Sequence, residues 1–286
     1  MSSPLELLSE HRCESGWQRF YRHASTEIGL PMQFSAFIPD TVGAGRQGAL
    51  FYLAGLTCTE ETFPTKAGAQ KAAAEAGLIL IAPDTSPRGA GIDGEDASWD
   101  FGTGAGFYLD ATEPGWRSRY RMHSYIVHEL FALVVAELNV DAAQVGIFGH
   151  SMGGHGALVL ALRHPDKFKS VSAFAPIAAP MQCPWGKKAF TGYLGEDTAQ
   201  WEAYDASVLM RGLKNPFPAG ILIDQGTADK FLPDQLYPDV FEAACAQAGQ
   251  ALELRRQPDF DHGYYFISTF VADHIRFHAS RLKPNG

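Results

Sequence analysis

The run Gly149-His150-Ser151-Met152-Gly153 places one serine between two glycines, after the strand-forming VGIF and before small, helix-compatible residues. A serine at such a G-x-S-x-G corner is the pattern of a nucleophile raised on a sharp strand-to-helix turn. The glycines fit that reading: the backbone at the tip must be unusual, and side chains at either flank would collide with the adjoining strand and helix. The helix that follows points unpaired N–H groups, equivalent to roughly half a positive charge, toward an oxyanion forming at the serine.

Serine is a weak nucleophile at neutral pH and needs a base, itself oriented by an acid. On a strand–elbow–helix scaffold the chain order is serine, acid, histidine. Of ten histidines, His262, His274 and His278 lie late enough. His274 and His278 fall in a helical pattern and read as surface or packing residues. His262, in PDFDHGYYF, falls in a Gly-containing loop able to return to the elbow. His155 lies one turn beyond Ser151 on the same helix and reads as a packing or hydrogen-bonding residue. DQGTADKFL offers Asp229 in the loop proper and Asp224 at the strand end, and the loop position favours Asp229. Asp261, adjacent to His262, is poorly placed to face its imidazole. A second oxyanion donor should come from the loop after the third strand, FYLAGLTCTEETF, where the Leu56 amide can complement that of Met152. Cys58 would then sit near the chemistry, reading first as a small buried thiol.

The elements that must position these groups follow from period and punctuation. Strands are expected near 17–23, 32–38, 49–54, 78–82, 145–149, 170–175, 220–224 and 252–256, and helices over 65–76, 120–138, 152–164, 240–248 and 264–282. Two strands joined by a short link, followed by alternation of strand and helix, predict an α/β fold. Its central sheet of about eight strands is mostly parallel with an antiparallel start, and helices cover both faces. No repeat or linker divides the 286 residues, so residues 1–286 read as one domain. Residues 83–119 are too long for a plain connector, and Trp99, Phe101, Phe107, Tyr108 and Trp116 make them a packed excursion beside the site. Asp93, Glu95 and Asp96 lack calcium-loop spacing and read as a hydrogen-bonded loop; no metal or cofactor is expected.

With 23 basic and 32 acidic residues, the net charge of −9 argues against nucleic acid as a partner. No apolar run is long enough for a membrane span, MSSPLELLSEHRCES lacks the form of a secretory signal, and RLKPNG matches no retention address. The four scattered cysteines, Cys13, Cys58, Cys183 and Cys245, form no C-x-x-C pair, and a reducing cytoplasm is the expected compartment.

Taken together, GLTCTEETF, SPRGAGIDGEDASWDFGTGAGFYLDAT, FGHSMGGHGAL, CPWGKKAFTGYLGED, DQGTADKFL and DHGYYFI resemble the S-formylglutathione hydrolase (esterase D) family, in the same order over nearly the whole chain. The resemblance implies an α/β-hydrolase fold, a cytoplasmic homodimer, and hydrolysis of S-formylglutathione to glutathione and formate in formaldehyde detoxification. It implies a triad on Ser151, Asp229 and His262 and an oxyanion hole on Leu56 and Met152. The cysteine matching Cys58 is linked in the family to sensitivity toward thiol reagents. A tiny formyl group calls for bulk on the acyl side, for which Trp185 is the candidate, and anionic glutathione calls for cations, for which Arg88, Lys187 and Lys188 are available. Two positions depart from the family pattern, Gly263 where a serine is usual and His123 in the M-H-S-Y block; the first bears on the His262 loop and the second on the pocket if its helix lines it. A broad carboxylesterase or acyltransferase on the same fold would carry the same triad.

Overall fold

The computed structural model describes residues 5–41 and 45–282. Part of each terminal stretch read above, residues 1–4 and 283–286, lies outside the described residues. Nine strands join one sheet: β1 (Glu6–Cys13), β2 (Gly16–Ala24), β3 (Pro31–Pro39), β4 (Gln47–Leu53), β5 (Ile79–Pro83), β6 (Val140–His150), β7 (Ser170–Phe174), β8 (Ile221–Gly226) and β9 (Leu252–Gln257). Their order is β1-β2-β3-β5-β4-β6-β7-β8-β9. Pairs from β1 to β5 through β3 are antiparallel, and every pair from β5 to β9 is parallel. The strands β7 and β8 are buried at every residue, as befits a parallel sheet covered on both faces.

All eight predicted strands are present. The ninth, β1, carries no alternation to betray it, because it is an edge strand whose residues are mostly exposed, Leu7 and Leu8 among them. Its backbone ladder with β2 holds it, with opposite charges facing across that ladder: Glu6 faces Arg22 and Glu10 faces Arg19, with N–O separations of 2.9 and 3.1 Å.

The helices are α1 (Thr62–Lys66), α2 (Gln70–Ala76), α3 (Met122–Ser124), α4 (Phe131–Glu137), α5 (Met152–Arg163), α6 (Pro184–Leu194), α7 (Thr198–Trp201), α8 (Ala206–Arg211), α9 (Pro238–Ala248) and α10 (Tyr264–Arg281). The helix expected over 65–76 is broken in two at Gly68, which takes a left-handed φ of 65°. A π-helical segment, Tyr125–Leu130, joins α3 to α4. Sequence periodicity missed α6, α7 and α8, although Asp197 and Asp205 cap the last two with their side chains and Pro184 opens the first. On adjacent residues of β4, Phe51 stacks on Phe131 of α4 while Tyr52 stacks on Phe63 of α1. Successive side chains of a strand point to opposite faces, so helices cover both sides of the sheet.

Under α10 runs a buried polar chain. His278 is hydrogen-bonded to Ser170 (2.6 Å) and Ser172 (2.9 Å), His274 to Ser172 (2.8 Å) and Asp224 (3.0 Å). Arg255 and Gln257 donate to the same Asp224 carboxylate. Both histidines have no exposed surface, so of the two roles read for them it is packing that holds. Burial opposes the charge on Asp224, yet hydrogen bonds from His274 and Arg255 draw its carboxyl down to about 2. Burial pushes His278 well below the usual imidazole range and lowers His274 as well.

This burial sets a pH dependence of stability. Below about pH 6.5 the unfolded chain gains a proton at His155, His274 and His278, which the folded chain resists. Each ring then removes about 1.4 kcal/mol of stability per pH unit until its folded pKa is reached, about 4 for His155. Glu60, raised to about 7 by burial and by Asp84, works in the opposite sense, while His23, His150 and His164, also lowered by burial, add to the effect of the three rings. Urea midpoints should therefore fall between pH 7 and pH 5; a flat or rising midpoint would refute this account.

Candidate active site

Ser151 joins β6 to α5 with φ 57° and ψ −118°, a left-handed conformation rare for a residue with a side chain. The flanking glycines are required by contact. A Cβ at Gly153 would lie 1.9 Å from the Leu53 carbonyl oxygen, and one at Gly149 would lie 2.3 Å from that of Gly153. The strained peptide is tied on both sides: the Ser151 amide donates to Phe174 O (3.0 Å), and its carbonyl accepts from the amides of His155 (2.9 Å) and Ile177 (3.2 Å).

The acid and base also meet. His262 Nδ1 lies 2.5 Å from Asp229 Oδ2. That carboxylate accepts further from the Phe231 amide (2.9 Å) and the Gln225 side chain (3.3 Å). Asp224 is consumed by the polar chain under α10, and Asp261 accepts from the Gly263 amide at 2.8 Å. Asp229 is thus the carboxylate on His262. Its hold on Nδ1 leaves Nε2 as the basic nitrogen. The His262 ring packs against Phe231 (5.0 Å) and against His150 (4.4 Å), the residue preceding Ser151. Ser151 Oγ and His262 share no hydrogen bond among the described residues; in serine hydrolases that contact commonly tightens only with substrate. His150 is buried with its Nε2 unpartnered, and burial together with the neighbouring His262 keeps it neutral.

Gly55 brings the loop after β4 against the elbow: a Cβ there would lie 3.3 Å from both Ser151 Cβ and His150 Nδ1. The next amide, Leu56, and that of Met152 donate to no other group among the described residues. Thr57, at a left-handed φ of 67°, donates its amide to Gly104 O at 2.9 Å. The excursion therefore braces this loop, and it also reaches α5. Tyr108 packs on Gly156, where a Cβ would lie 2.6 Å from the ring, and His155 Nε2 is hydrogen-bonded to Phe107 O at 3.1 Å. His155 has the packing and bonding role read from its position. Glu95 accepts from the amides of Ala90 and Gly91, a hydrogen-bonded loop as expected.

Trp185, on α6, lies 4.7 Å from Phe231 and 5.7 Å from Trp99. An aromatic file thus runs from His262 through Phe231 and Trp185 to the exposed Trp99. Sequence reasoning missed Phe231, since DKF carries no signal of its own. Lys188 is paired with the Asp100 carboxylate and reaches Ser98 Oγ at 2.7 Å, fastening α6 to the excursion, while Lys187 is exposed. Arg88 is paired with Asp84. Cys58 sits by Thr62 and Tyr264, and burial raises its pKa, so the thiol stays protonated. His123 is hydrogen-bonded to His164 (2.9 Å) beyond the far end of α5, about 18 Å along that helix from Ser151. It is not a pocket residue.

Residues 25–277 match the Esterase family. The chain is 53% identical to S-formylglutathione hydrolase of Mus musculus over 280 residues, covering 98% of this chain and 99% of that protein. The likeness to the same enzyme of Bos taurus is also 53%, with equal coverage. A solved S-formylglutathione hydrolase structure from Agrobacterium tumefaciens superposes with a TM-score of 0.93 at 44% identity, covering 97% of this chain and 99% of that one. Fold and serine elbow make the chain an esterase of the α/β-hydrolase class. Within that class it belongs to the S-formylglutathione hydrolase family. No helix among the described residues is long and apolar enough to cross a membrane.

The two aspartates separate by measurement. Asp229→Asn should lower kcat about 10⁴-fold with little change in melting temperature, whereas Asp224→Asn should cost stability and largely spare kcat; the reverse pattern would exchange their roles. At the N-cap of α10, Gly263 has an ordinary φ of −87° and no side-chain cap. A Cβ there would meet the Asp261 carboxylate, Oδ1 at 3.1 Å and Oδ2 at 3.6 Å, on an exposed side chain that can give by a few tenths of an ångström. Gly263→Ser should therefore raise unfolding stability by a few tenths of a kcal/mol, read from chemical denaturation.

Proposed function

We propose that this protein is a serine thioesterase that hydrolyses S-formylglutathione to glutathione and formate, serving formaldehyde detoxification. The observation that carries this reading is the imidazole of His262, held by Asp229 at 2.5 Å and packed on the residue that precedes a left-handed serine. Near-full-length likeness to enzymes named for that substrate supplies its identity.

In this mechanism Ser151 Oγ attacks the formyl carbon while His262 Nε2 takes its proton. The carbonyl oxygen becomes the oxyanion, received by the amides of Leu56 and Met152. Collapse of the adduct breaks the C–S bond; glutathione leaves as a thiolate, which a thiol pKa of about 8.5 makes easy, and the proton on His262 passes to that sulfur or to solvent, leaving the imidazole neutral. Water then attacks the formyl-serine with His262 again as base, and His262 returns that proton to Ser151 Oγ as the C–O bond breaks and formate leaves. Asp229 holds the imidazole and offsets its charge, and no metal or cofactor takes part. Trp185 and Phe231 crowd the acyl side and favour the small formyl group. Lys187 and Lys188 stand at the rim for the anionic peptide, with Lys188 shared with Asp100, and Cys58 lines the approach as a neutral thiol. We further take residues 1–286 as one domain that works as a cytoplasmic homodimer.

Turnover of S-formylglutathione by the pure protein tests the reaction. It should exceed that of butyryl glutathione thioester and of a short aryl ester, and Ser151→Ala should reduce it about 10⁶-fold. An enzyme that prefers the aryl ester would instead be a general carboxylesterase, and substantial turnover by Ser151→Ala would remove the nucleophile assignment.

A further inference from the structure

The loop that carries the Leu56 amide is held by its polar backbone groups on both sides of that amide. Ala54 O accepts from the Tyr108 hydroxyl (2.8 Å), Gly55 O from the Cys58 amide (3.3 Å), and the Thr57 amide donates to Gly104 O (2.9 Å). Glu60 O accepts from Ser35 Oγ at 2.8 Å. At the centre, Cys58 O accepts from Thr85 Oγ1 (2.6 Å) and from an Arg88 guanidinium nitrogen (2.9 Å). Arg88 is fixed in turn by a two-point pair with Asp84, Nε to Oδ2 at 2.9 Å and the second nitrogen to Oδ1 at 2.7 Å. Asp84 is buried and also accepts from the Thr85 amide at 2.6 Å. The Leu56 N–H donates to none of these partners.

We infer that Arg88, locked by Asp84, is a positioning residue for the oxyanion hole: it pins the Cys58 carbonyl so that the strained Thr57 peptide holds the Leu56 amide toward Ser151. The inference rests on the reading of Leu56 as an oxyanion donor. It reassigns a cation that composition alone would give to the anionic substrate. A guanidinium suits this task because its planar fork satisfies a carboxylate at two points and keeps a further N–H for a carbonyl. The left-handed Thr57 conformation is strained and persists only where the surroundings over-determine it. With the carbonyl released, that peptide can relax and carry the amide away. An oxyanion donor acts only where it meets the developing charge, so the loss falls on the transition state rather than on substrate binding.

The test compares Arg88→Met and Arg88→Lys with wild type on S-formylglutathione and on neutral 4-nitrophenyl acetate. For a positioning residue, Arg88→Met lowers kcat on both substrates by about 10–10²-fold, short of the 10²–10³ for outright loss of a donor. KM stays within about threefold. Binding of phenylboronic acid, which forms a tetrahedral adduct on the serine, weakens by a similar factor, and Arg88→Lys recovers part of the loss. A raised KM for S-formylglutathione alone, with kcat and the ester unaffected, would make Arg88 a substrate-binding cation and overturn the inference, as would unchanged kinetics. If Arg88→Met fails to fold, Thr85→Val removes the other donor to Cys58 O and must show the same kcat-centred pattern. A wild-type enzyme that cleaves the ester but not S-formylglutathione would overturn the substrate proposal alone, and the ester still decides the role of Arg88.

Discussion

At φ 57° and ψ −118°, Ser151 holds a backbone conformation that costs a residue with a side chain about 1–3 kcal/mol. The rest of the architecture can be understood as what keeps it there. Strand β4 passes so close that its Leu53 carbonyl excludes any Cβ at Gly153. Strand β7 supplies the carbonyl of Phe174 to the Ser151 amide, and the segment after β7 supplies the Ile177 amide to the Ser151 carbonyl. Relaxing the serine would require β4, β6, β7 and α5 to move together, and these are among the most deeply buried parts of the molecule.

Among the described residues three histidines face aspartates, and two of these pairs, His274–Asp224 and His262–Asp229, have environments that give them opposite uses. His274 and Asp224 have no exposed surface, and their imidazole stacks on Phe174 at 3.7 Å. Ser172 completes a serine–histidine–aspartate set of the right residue types, yet it lies within a regular strand where nothing can approach it. Arg255 and Gln257 further occupy the carboxylate. That set joins α10 to β7 and β8. The His262–Asp229 pair lies on loops, with 16% of the His262 side chain exposed, and its second nitrogen is left for chemistry. Residue type does not separate a structural pair from a reactive one; access and unused bonding capacity do.

The long excursion between β5 and α3 belongs to the site as much as the elbow does. Gly104 braces Thr57, Tyr108 holds Ala54 and lies on Gly156, and Asp100 anchors Lys188 of α6. Glycine is required at 104 because its φ of 80° coincides with a Cβ position 3.1 Å from Thr57 Cα. A single segment therefore touches the loop after β4, the helix α5 that follows Ser151 and the helix α6 bearing Trp185. Loops that carry function are usually mobile; this one is buried at Phe107, Tyr108 and Leu109 and acts as part of the scaffold.

The eight strands with apolar runs or alternation, the elbow serine, the loop histidine and Asp229 were legible from the chain itself. Each depends on local pattern: period, punctuation and the order of residues along a strand–turn–helix unit. What escaped depends on partners distant in sequence. β1 is held by its ladder with β2 rather than by a buried face, and α6 to α8 lack a strong period of their own. Phe231 meets the His262 ring only because the segment after β8 and the His262 loop converge. Arg88, a plausible substrate cation by composition, is turned inward because folding places Asp84 and the Cys58 carbonyl within reach of its fork. The sequence by itself determined which groups could react and the order in which the fold would present them. Tertiary structure alone decided which charges were already spent on other partners, because ion pairs and hydrogen bonds are settled by distances that no local pattern encodes.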